Sequence, residues 1–205
     1  MMNSFVYEET ASVAEVFGME TKVKEIIKQV KKGDQSAFED IVAFYQNKVY
    51  AICFRMIGNS HEAEDLAQEA FIRAYVNIHS YDDKRKFSTW LFRIATNLSI
   101  DRIRKKKPDY FLDAEVKGTD GLDMYSQLSS DQASPEDEVE SLEIQTYIQQ
   151  EIMSLPTKYR SVIALRFVDE LSLAEISEIL DIPVGTVKTR IHRGREALRK
   201  RLRHV

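Results

Sequence analysis

Residues 172–203, SLAEISEILDIPVGTVKTRIHRGREALRKRLR, decide the fold of the C-terminal part of the chain. Ser172 followed by Glu175 has the spacing of a capping box, which predicts that a helix begins there. Residues 181–183, Asp-Ile-Pro, end that helix because a proline disfavours helical geometry in the residue before it. Pro183 also suits the start of a second helix. Two short helices joined by a tight break predict a helix-turn-helix.

The second helix of this pair is strongly basic. Residues 184–205 contain eight Lys or Arg against one Glu, a net charge of +7. Cations at a helix C-terminus complement the helix dipole, but that accounts only for the last turn. Cations along a whole helix, beside hydroxyl side chains, are typical of a recognition helix that binds DNA. The residues expected to point outward are Lys188, Thr189, His192 and Arg193.

Charge is segregated along the chain. The 205 residues carry a net charge of −4, so the part before residue 184 carries −11. This balance argues against a protein that coats nucleic acid indiscriminately. It is typical of a protein with one nucleic-acid face and a second, non-nucleic partner.

The composition also indicates a compartment. Cys53 is the only cysteine, so an internal disulfide is excluded and a reducing environment is expected. No apolar run approaches the roughly 18 residues of a membrane span. The first residues carry acids and lack a basic start, unlike a secretory signal. We therefore expect a cytoplasmic protein.

Helical periodicity dominates the chain before the helix-turn-helix. Apolar residues at helical spacing predict helices over 21–32, 36–57, 60–79, 86–107, 138–154 and 158–169. Residues 108–140 instead contain ten acids against one Lys, with several Gly, Ser and Pro, which predicts a solvated linker and a domain boundary. We expect an all-α fold of two small helical domains joined by an acidic flexible linker. The expected divisions are a poorly ordered extension at 1–20, a first domain at 21–107, the linker at 108–137 and a second domain at 138–205.

The helix predicted over 60–79 carries an acidic strip opposite its apolar stripe. The residues of that outer face are Glu62, Asp65, Gln68 and Glu69, followed by Ile72 and Val76. Acids in a first turn favour the helix dipole, which explains Glu62 but less well the later acids. Exposed apolar residues behind an acidic strip fit a surface that docks another protein.

The helix predicted over 86–107 combines aromatic residues with a basic end. Trp90 is interpreted as core, and the outer face is expected to show Thr89, Arg93, Thr96, Asn97 and Arg104. Aromatic residues beside cations are typical of surfaces that bind single-stranded nucleic acid, where rings stack on bases and cations track phosphates. A solvated run of charges is the competing interpretation.

Four motifs in order give a resemblance to a known family. From Val23 to Leu202 the chain resembles the extracytoplasmic-function (ECF) sigma factors, small two-domain bacterial transcription initiation factors. The motifs are Glu64-Asp65-Leu66-x-Gln68-Glu69-x-Phe71-x-Arg73, then Phe87-x-x-Trp90-Leu91-x-x-Ile94-Ala95-x-Asn97-x-x-x-Asp101-x-x-Arg104, then Leu155-Pro156-x-x-Tyr159-Arg160, and last Gly185-Thr186-Val187-Lys188-x-Arg190-x-x-Arg193.

The resemblance implies a role for each domain, sigma region 2 for the first and region 4 for the second. It implies that core RNA polymerase is bound by Asp65, Gln68, Glu69 and Arg73. It implies that the promoter −10 element is opened and held by Tyr81, Lys86, Phe87, Ser88, Arg93, Asn97 and Arg104. It implies that the −35 element is bound by Gly185, Thr186, Lys188, Thr189, Arg190, His192 and Arg193. It further implies an anti-sigma factor, often membrane-anchored, and a regulon for envelope stress.

Two other classes of protein remain as alternatives. A stand-alone helix-turn-helix regulator would bind duplex DNA without polymerase and would have no need of Asp65 or Glu69. An enzyme such as a recombinase would need a nucleophile among cations or a carboxylate cluster for a metal. The four His and one Cys are scattered, with no ligand spacing. We therefore expect no enzyme, no metal, no cofactor and no small-molecule substrate.

Overall fold

The computed structural model describes residues 13–106, 135–167 and 171–202, and every element in these ranges is helical. The elements are α1 (Val13–Lys31), α2 (Ala37–Ile57), α3 (Ser60–Val76), a short 3-10 turn (Ile78–Ser80), α4 (Phe87–Lys106), α5 (Pro135–Met153), α6 (Thr157–Arg166), α7 (Leu173–Leu180) and α8 (Val184–Leu202). The all-α prediction is confirmed.

Four element ends differ from the sequence expectation by three residues or more, and one of them is the end of α3, at Val76 rather than 79. Helix α1 begins at Val13 rather than Thr21, since residues 13–20 contain no proline and a single glycine to interrupt a helix. Helix α5 begins at Pro135 rather than 138, and proline is well suited to the first helical position. Helix α6 ends at Arg166. The predicted linker lies almost wholly outside the described residues.

The first domain is built around α2, which packs against α1, α3 and α4. Its inward side chains are fully buried at Ile41, Val49, Ile52, Cys53 and Met56. Gly58 ends the helix in a left-handed conformation with φ 74°, where glycine meets no steric penalty. The core is continuous with that of the second domain, because buried residues of α5 and α6 pack against it.

The second domain forms around the predicted helix-turn-helix. The capping box is present: Glu175 N–H donates to Ser172 Oγ at 3.2 Å, and Ser172 N–H donates to the Glu175 carboxylate at 2.9 Å. Asp181 lies in the left-handed region with φ 54° and makes the break between α7 and α8. Helix α8 crosses close to α6 at Gly194, where an added Cβ would lie 2.9 Å from Ile163 Cγ1.

A buried interface joins the two domains at the C-terminal end of α2. The Arg160 guanidinium, 4% exposed, donates to the Met56 carbonyl and to the Leu155 carbonyl, each at 3.0 Å, and also to the Met153 carbonyl. Gln149 Nε2 donates to the Phe54 carbonyl at 3.1 Å. The last carbonyls of a helix have no partner within it, so a cation and an amide from the other domain satisfy them.

Candidate protein and nucleic-acid interfaces

Helix α3 presents the predicted polymerase-binding residues on one outer face. Asn59 begins the helix by accepting a hydrogen bond from Glu62 N–H at 3.0 Å, and the alanine-rich opposite face is buried. Asp65 and Gln68 are exposed, and Arg73 Nε donates to Glu69 at 2.7 Å across one helical turn. We call this face the docking strip, consisting of Asp65, Gln68, Glu69, Ile72, Arg73 and Val76.

The docking strip ends in two apolar side chains that lie open to solvent. Ile72 is 58% exposed and Val76 is 70% exposed, the two highest values among large apolar residues in the described part of the chain. A surface with acids at one end and exposed apolar side chains at the other suits a protein partner that is both basic and apolar.

The aromatic residues before and within α4 form a cluster instead of an open stacking platform. Tyr81 and Phe87 are buried, at 3% and 4% exposure, and their ring centroids lie 5.3 Å apart. Trp90 is half-buried and packs against both rings, at 5.5 and 5.6 Å. In this conformation neither buried ring can stack on a base, so both support the segment between them.

That segment, residues 82–86, is held from two sides. Lys31 Nζ donates to the Tyr81 carbonyl at 2.9 Å and pairs with Asp83 at 3.0 Å. The Tyr81 hydroxyl donates to the Arg85 carbonyl, and burial, with a smaller contribution from Asp83, raises the pKa of Tyr81 to about 12. The phenol therefore stays a hydrogen-bond donor across the physiological range.

The other residues predicted for the −10 element have different surroundings. Asn97 is exposed, Ser88 is half-buried, and exposed Arg104 pairs with Asp101 at 2.6 Å. Lys86 and Arg93 instead contact the second domain. The outward placement expected for Thr89 and Thr96 is wrong: both are buried, at 2% and 0% exposure, because their side of α4 packs inside the molecule.

We call the contact of α7 with Arg85, Lys86 and Arg93 the ionic interface. Lys86 Nζ lies 3.0 Å from a Glu175 carboxylate oxygen, and Arg85 lies 3.1 Å from Glu178. The Arg93 guanidinium donates to the Glu178 carbonyl. The hydrogen bond with Glu175 raises the pKa of Lys86. Burial would raise the pKa of Glu175, but hydrogen bonds from Ser172 and Lys86 outweigh it and lower that pKa.

Helix α8 presents the residues predicted for the −35 element. Val187 and Gly194 face the core, so the opposite side of the helix is open to solvent. The exposed residues are Gly185, Lys188, Thr189, His192 and Arg193, while Thr186 and Arg190 are half-buried. Thr189 Oγ1 donates to the Gly185 carbonyl at 2.9 Å, which fixes the direction of its methyl group.

One further cation joins this surface from another helix. A cavity of about 340 Å³ lies between α6 and α8, and its lining includes Lys158, Thr186, Arg190 and Arg193. Sequence reasoning missed Lys158 because no periodicity links it to α8. Only the packing of α6 on α8, close at Gly194, brings Lys158 into the lining of the same cavity as Arg190 and Arg193.

The described residues offer neither a metal site nor a membrane-spanning helix. They contain no group of three His, Cys, Asp or Glu placed to hold a metal ion. None of the helices in the same ranges is long and apolar enough to span a bilayer.

Comparison with known proteins gives the family. Residues 41–108 match the family described as Sigma-70 region 2, and residues 145–198 match Sigma-70, region 4. The chain is 71% identical over 187 residues to the ECF RNA polymerase sigma factor SigW of Bacillus subtilis, covering 91% of this chain and 100% of that one. It is 37% identical over 177 residues to the ECF RNA polymerase sigma-E factor of Escherichia coli, covering 84% and 90%.

Solved structures support the same fold. CnrH, in a complex with the cytosolic domain of CnrY, aligns with a TM-score of 0.65 at 21% identity, covering 89% of this chain and 98% of that one. The sigma factor RpoE from Bartonella quintana, in a complex with the anti-sigma factor NepR, aligns with a TM-score of 0.59 at 19% identity, covering 81% and 96%. The resemblance seen in the four motifs is confirmed: the chain belongs to the ECF RNA polymerase sigma factors, and it is a transcription initiation factor.

Proposed function

We propose that this sigma factor divides initiation among three surfaces: the docking strip binds core RNA polymerase, α8 binds the −35 element, and α4 with the segment before it opens the −10 element. The observation that carries the proposal is the exposure of Ile72 and Val76 beside Asp65. A stand-alone regulator has no use for such a strip. Family membership favours the polymerase-dependent function over that alternative.

The docking strip suits a basic and apolar partner surface. Asp65 supplies a charge, Gln68 can donate and accept hydrogen bonds, and Ile72 offers apolar area for burial. Arg73 holds Glu69 in place through their ion pair and so positions the acid. Electrostatic complementarity speeds association, and burial of the apolar end then slows dissociation.

Helix α8 carries both kinds of contact that sequence recognition requires. Phosphate contacts set the register of a helix on the duplex, and contacts with base edges specify sequence. We assign Lys158 to a phosphate, because it reaches the surface from α6 at one side of the recognition helix. Arg193 and Lys188 are exposed on α8 itself, in position to reach the major groove.

The α4 surface supplies hydrogen bonds and cations for an unstacked strand. Exposed Asn97 can donate to and accept from a base edge, and exposed Arg104 can reach a phosphate. Lys86 and Arg93 add positive charge at the other end of the helix. The buried rings of Tyr81 and Phe87 hold the segment that carries Lys86, and for this reason we assign them a supporting role.

The proposed partners are core RNA polymerase, promoter DNA and an anti-sigma factor, which is membrane-anchored in many members of the family. CnrH and RpoE, which share the fold, were each solved with a bound partner, and NepR is named as an anti-sigma factor. We propose a cytoplasmic protein that serves an envelope-stress regulon and has no catalytic activity of its own, since the chemistry of RNA synthesis belongs to the polymerase.

Run-off transcription with purified core polymerase on a genomic template tests the proposed function. The full chain is expected to direct transcripts from a discrete set of promoters, and Asp65→Lys is expected to abolish them by weakening polymerase binding. Glu25→Lys, which makes the same charge change at an exposed position on α1, is the matched control and should retain activity. Specific duplex binding without polymerase-dependent transcripts would favour a stand-alone regulator.

A further inference from the structure

Helix α1 carries a row of exposed cations that none of the three proposed surfaces uses. Residues 21–32 contain five Lys against one Glu, a net charge of +4. Lys24 and Lys28 lie one turn apart and are both exposed. We call these two residues the α1 stripe. Attraction of cations to the C-terminus of a helix accounts for Lys28, in the last turn, but not for Lys24, which lies about two turns before the end.

The α1 stripe lies on the side of α1 that faces segment 82–86. Two residues of α1 reach that segment: Glu20 lies 3.2 Å from Lys86, and Lys31 pairs with Asp83 at 3.0 Å. Residues three or four positions apart share one side of a helix, so positions 20, 24, 28 and 31 form one line along α1. The α1 stripe therefore fills the two positions between these contacts.

The charge of the α1 stripe is not neutralised within residues 13–106, 135–167 and 171–202. Lys31 and Lys86 are each paired with an acid, but no carboxylate in these ranges pairs with Lys24 or Lys28. Exposed Lys84, in the neighbouring segment, adds a further cation to the same region. These ammonium groups are available to an anionic ligand.

Continuity with the α4 surface indicates which anion this is. Segment 82–86 leads directly into α4 at Phe87, and Lys86 belongs to the strand-binding surface proposed for α4. Surfaces that bind single-stranded nucleic acid hold its bases and also follow its backbone with cations. Lysine binds phosphate as a point charge. Lys24 and Lys28 are about 6 Å apart along the helix, so they can serve neighbouring phosphates of an extended strand.

We propose that the α1 stripe binds backbone phosphates of the single strand that flanks the −10 element, so that the strand passes from α4 across segment 82–86 onto α1. The proposal rests on the strand-opening role proposed above for α4. Phosphate contacts position a strand without specifying its sequence. The α1 stripe therefore adds affinity for the opened strand at every promoter alike, while Asn97 and α8 select the promoter.

The test uses holoenzyme assembled from the full chain and core polymerase. The probe is a fluorescent fork-junction promoter DNA whose −10 element and flanking nucleotides are single-stranded, and fluorescence anisotropy measures its affinity. In a series of probes, each phosphate flanking the −10 element is replaced in turn by an uncharged methylphosphonate. The affinity of each variant for core polymerase is measured separately, with the sigma factor labelled.

The variants remove or keep the charge of the α1 stripe. Lys24→Gln, Lys28→Gln and their combination remove it at exposed positions, where glutamine has a similar helix propensity. Lys24→Arg keeps the charge. Lys22→Gln is the matched control, since Lys22 is exposed on the same helix but lies two positions from Lys24 and so on another side. Circular dichroism checks that all variants are folded.

Wild-type holoenzyme should lose affinity by about 2- to 5-fold at one or two flanking methylphosphonates. This loss should be absent in the combined variant, because the lysines that meet those phosphates are gone. The combined variant should bind the unmodified probe more weakly, and its slope of log affinity against log salt should fall by about 0.7 for each lysine removed. Lys22→Gln and Lys24→Arg should behave as the wild-type chain.

Three results would overturn the proposal. The first is an undiminished methylphosphonate penalty in the combined variant, and the second is a wild-type holoenzyme that senses no flanking phosphate. The third, weaker binding to core polymerase with unchanged DNA affinity, would assign the α1 stripe to a protein partner. In all three cases Asn97→Ala should still weaken binding of the probe. Wild-type affinity of Asn97→Ala would instead remove the strand-binding role of α4, and the path of the strand onto α1 with it.

Discussion

Two interfaces join the same two domains, and they differ in the physics that holds them. The buried interface places the Arg160 guanidinium, 4% exposed, against helix-terminal carbonyls. The ionic interface places the half-exposed Lys86 against Glu175. A buried charge that loses its partners is costly, whereas an exposed ion pair exchanges readily with solvent or another anion. The buried interface therefore anchors the two domains, and the ionic interface can exchange its partners.

Removal of the buried guanidinium should have the largest effect. Arg160→Ala leaves carbonyl groups at the ends of α2 and α5 without their donor, and should lower the free energy of unfolding by about 2–4 kcal/mol. Urea denaturation of the full chain measures this loss in the free energy of unfolding. Arg85→Ala is the matched control from the ionic interface, expected to cost less than about 1 kcal/mol. Equal midpoints and slopes for the two variants would erase the distinction between the interfaces.

Crowding α8 against α6 should disturb the second domain by a smaller amount. An added Cβ at Gly194 would lie 2.9 Å from Ile163, which is fully buried, so Gly194→Ala should destabilise by about 1–3 kcal/mol. Gly185→Ala on the same helix meets no atom within 4 Å and should leave stability unchanged or raise it by up to about 1 kcal/mol. The thermal unfolding midpoints of the two variants, compared with the wild-type chain, measure these changes. A wild-type midpoint for Gly194→Ala would show that α6, and with it Arg160, can shift freely.

Acid should weaken the ionic interface before the buried one. The pKa of Glu175 is lowered from its ordinary value of 4.5, so its contribution is complete above that pH and is lost as pH falls through the lowered value. The pKa of Lys86 is raised from 10.5, so its contribution is complete below that pH and is lost only as pH rises through the raised value. The contact should therefore be constant across neutral pH.

The loss of the Glu175–Lys86 contact in acid is the smallest of the expected effects. Trp90, the single tryptophan, packs beside the segment that carries Lys86, so its fluorescence can report this loss. Its emission in the wild-type chain should show an acid transition below pH 4.5 that is reduced in Glu175→Gln, since glutamine keeps the capping interaction but does not titrate. Glu20 also contacts Lys86, at 3.2 Å, and is unchanged in this variant. An identical acid transition in the wild-type chain and in Glu175→Gln would mean that Glu175 does not contribute to the ionic interface.

Short-range features were read correctly from the sequence. The capping box at Ser172 and Glu175 and the break before α8 both appear in the structure. Each depends on residues within four positions of one another, so local stereochemistry is sufficient to specify it. The order of four motifs was enough to indicate the family, which the comparisons confirm.

The surroundings of the site residues could not be read in the same way. Periodicity placed Thr89 and Thr96 outside, but contacts from other elements cover that side of α4. Tyr81 and Phe87 carry the residue types of a stacking surface, yet they pack on each other. Lys158 reaches the α8 surface only through helix packing.

The sequence by itself determined the helices, their caps, the helix-turn-helix and the family, because these follow from backbone preferences and from spacing within a few residues. The tertiary structure alone decided that α7 lies on α4, where Lys86 meets Glu175 across 89 positions of the chain. A weak contact between half-exposed ions leaves no periodic pattern in a sequence. The buried interface at Arg160 holds the same two domains together, and so keeps the two surfaces close.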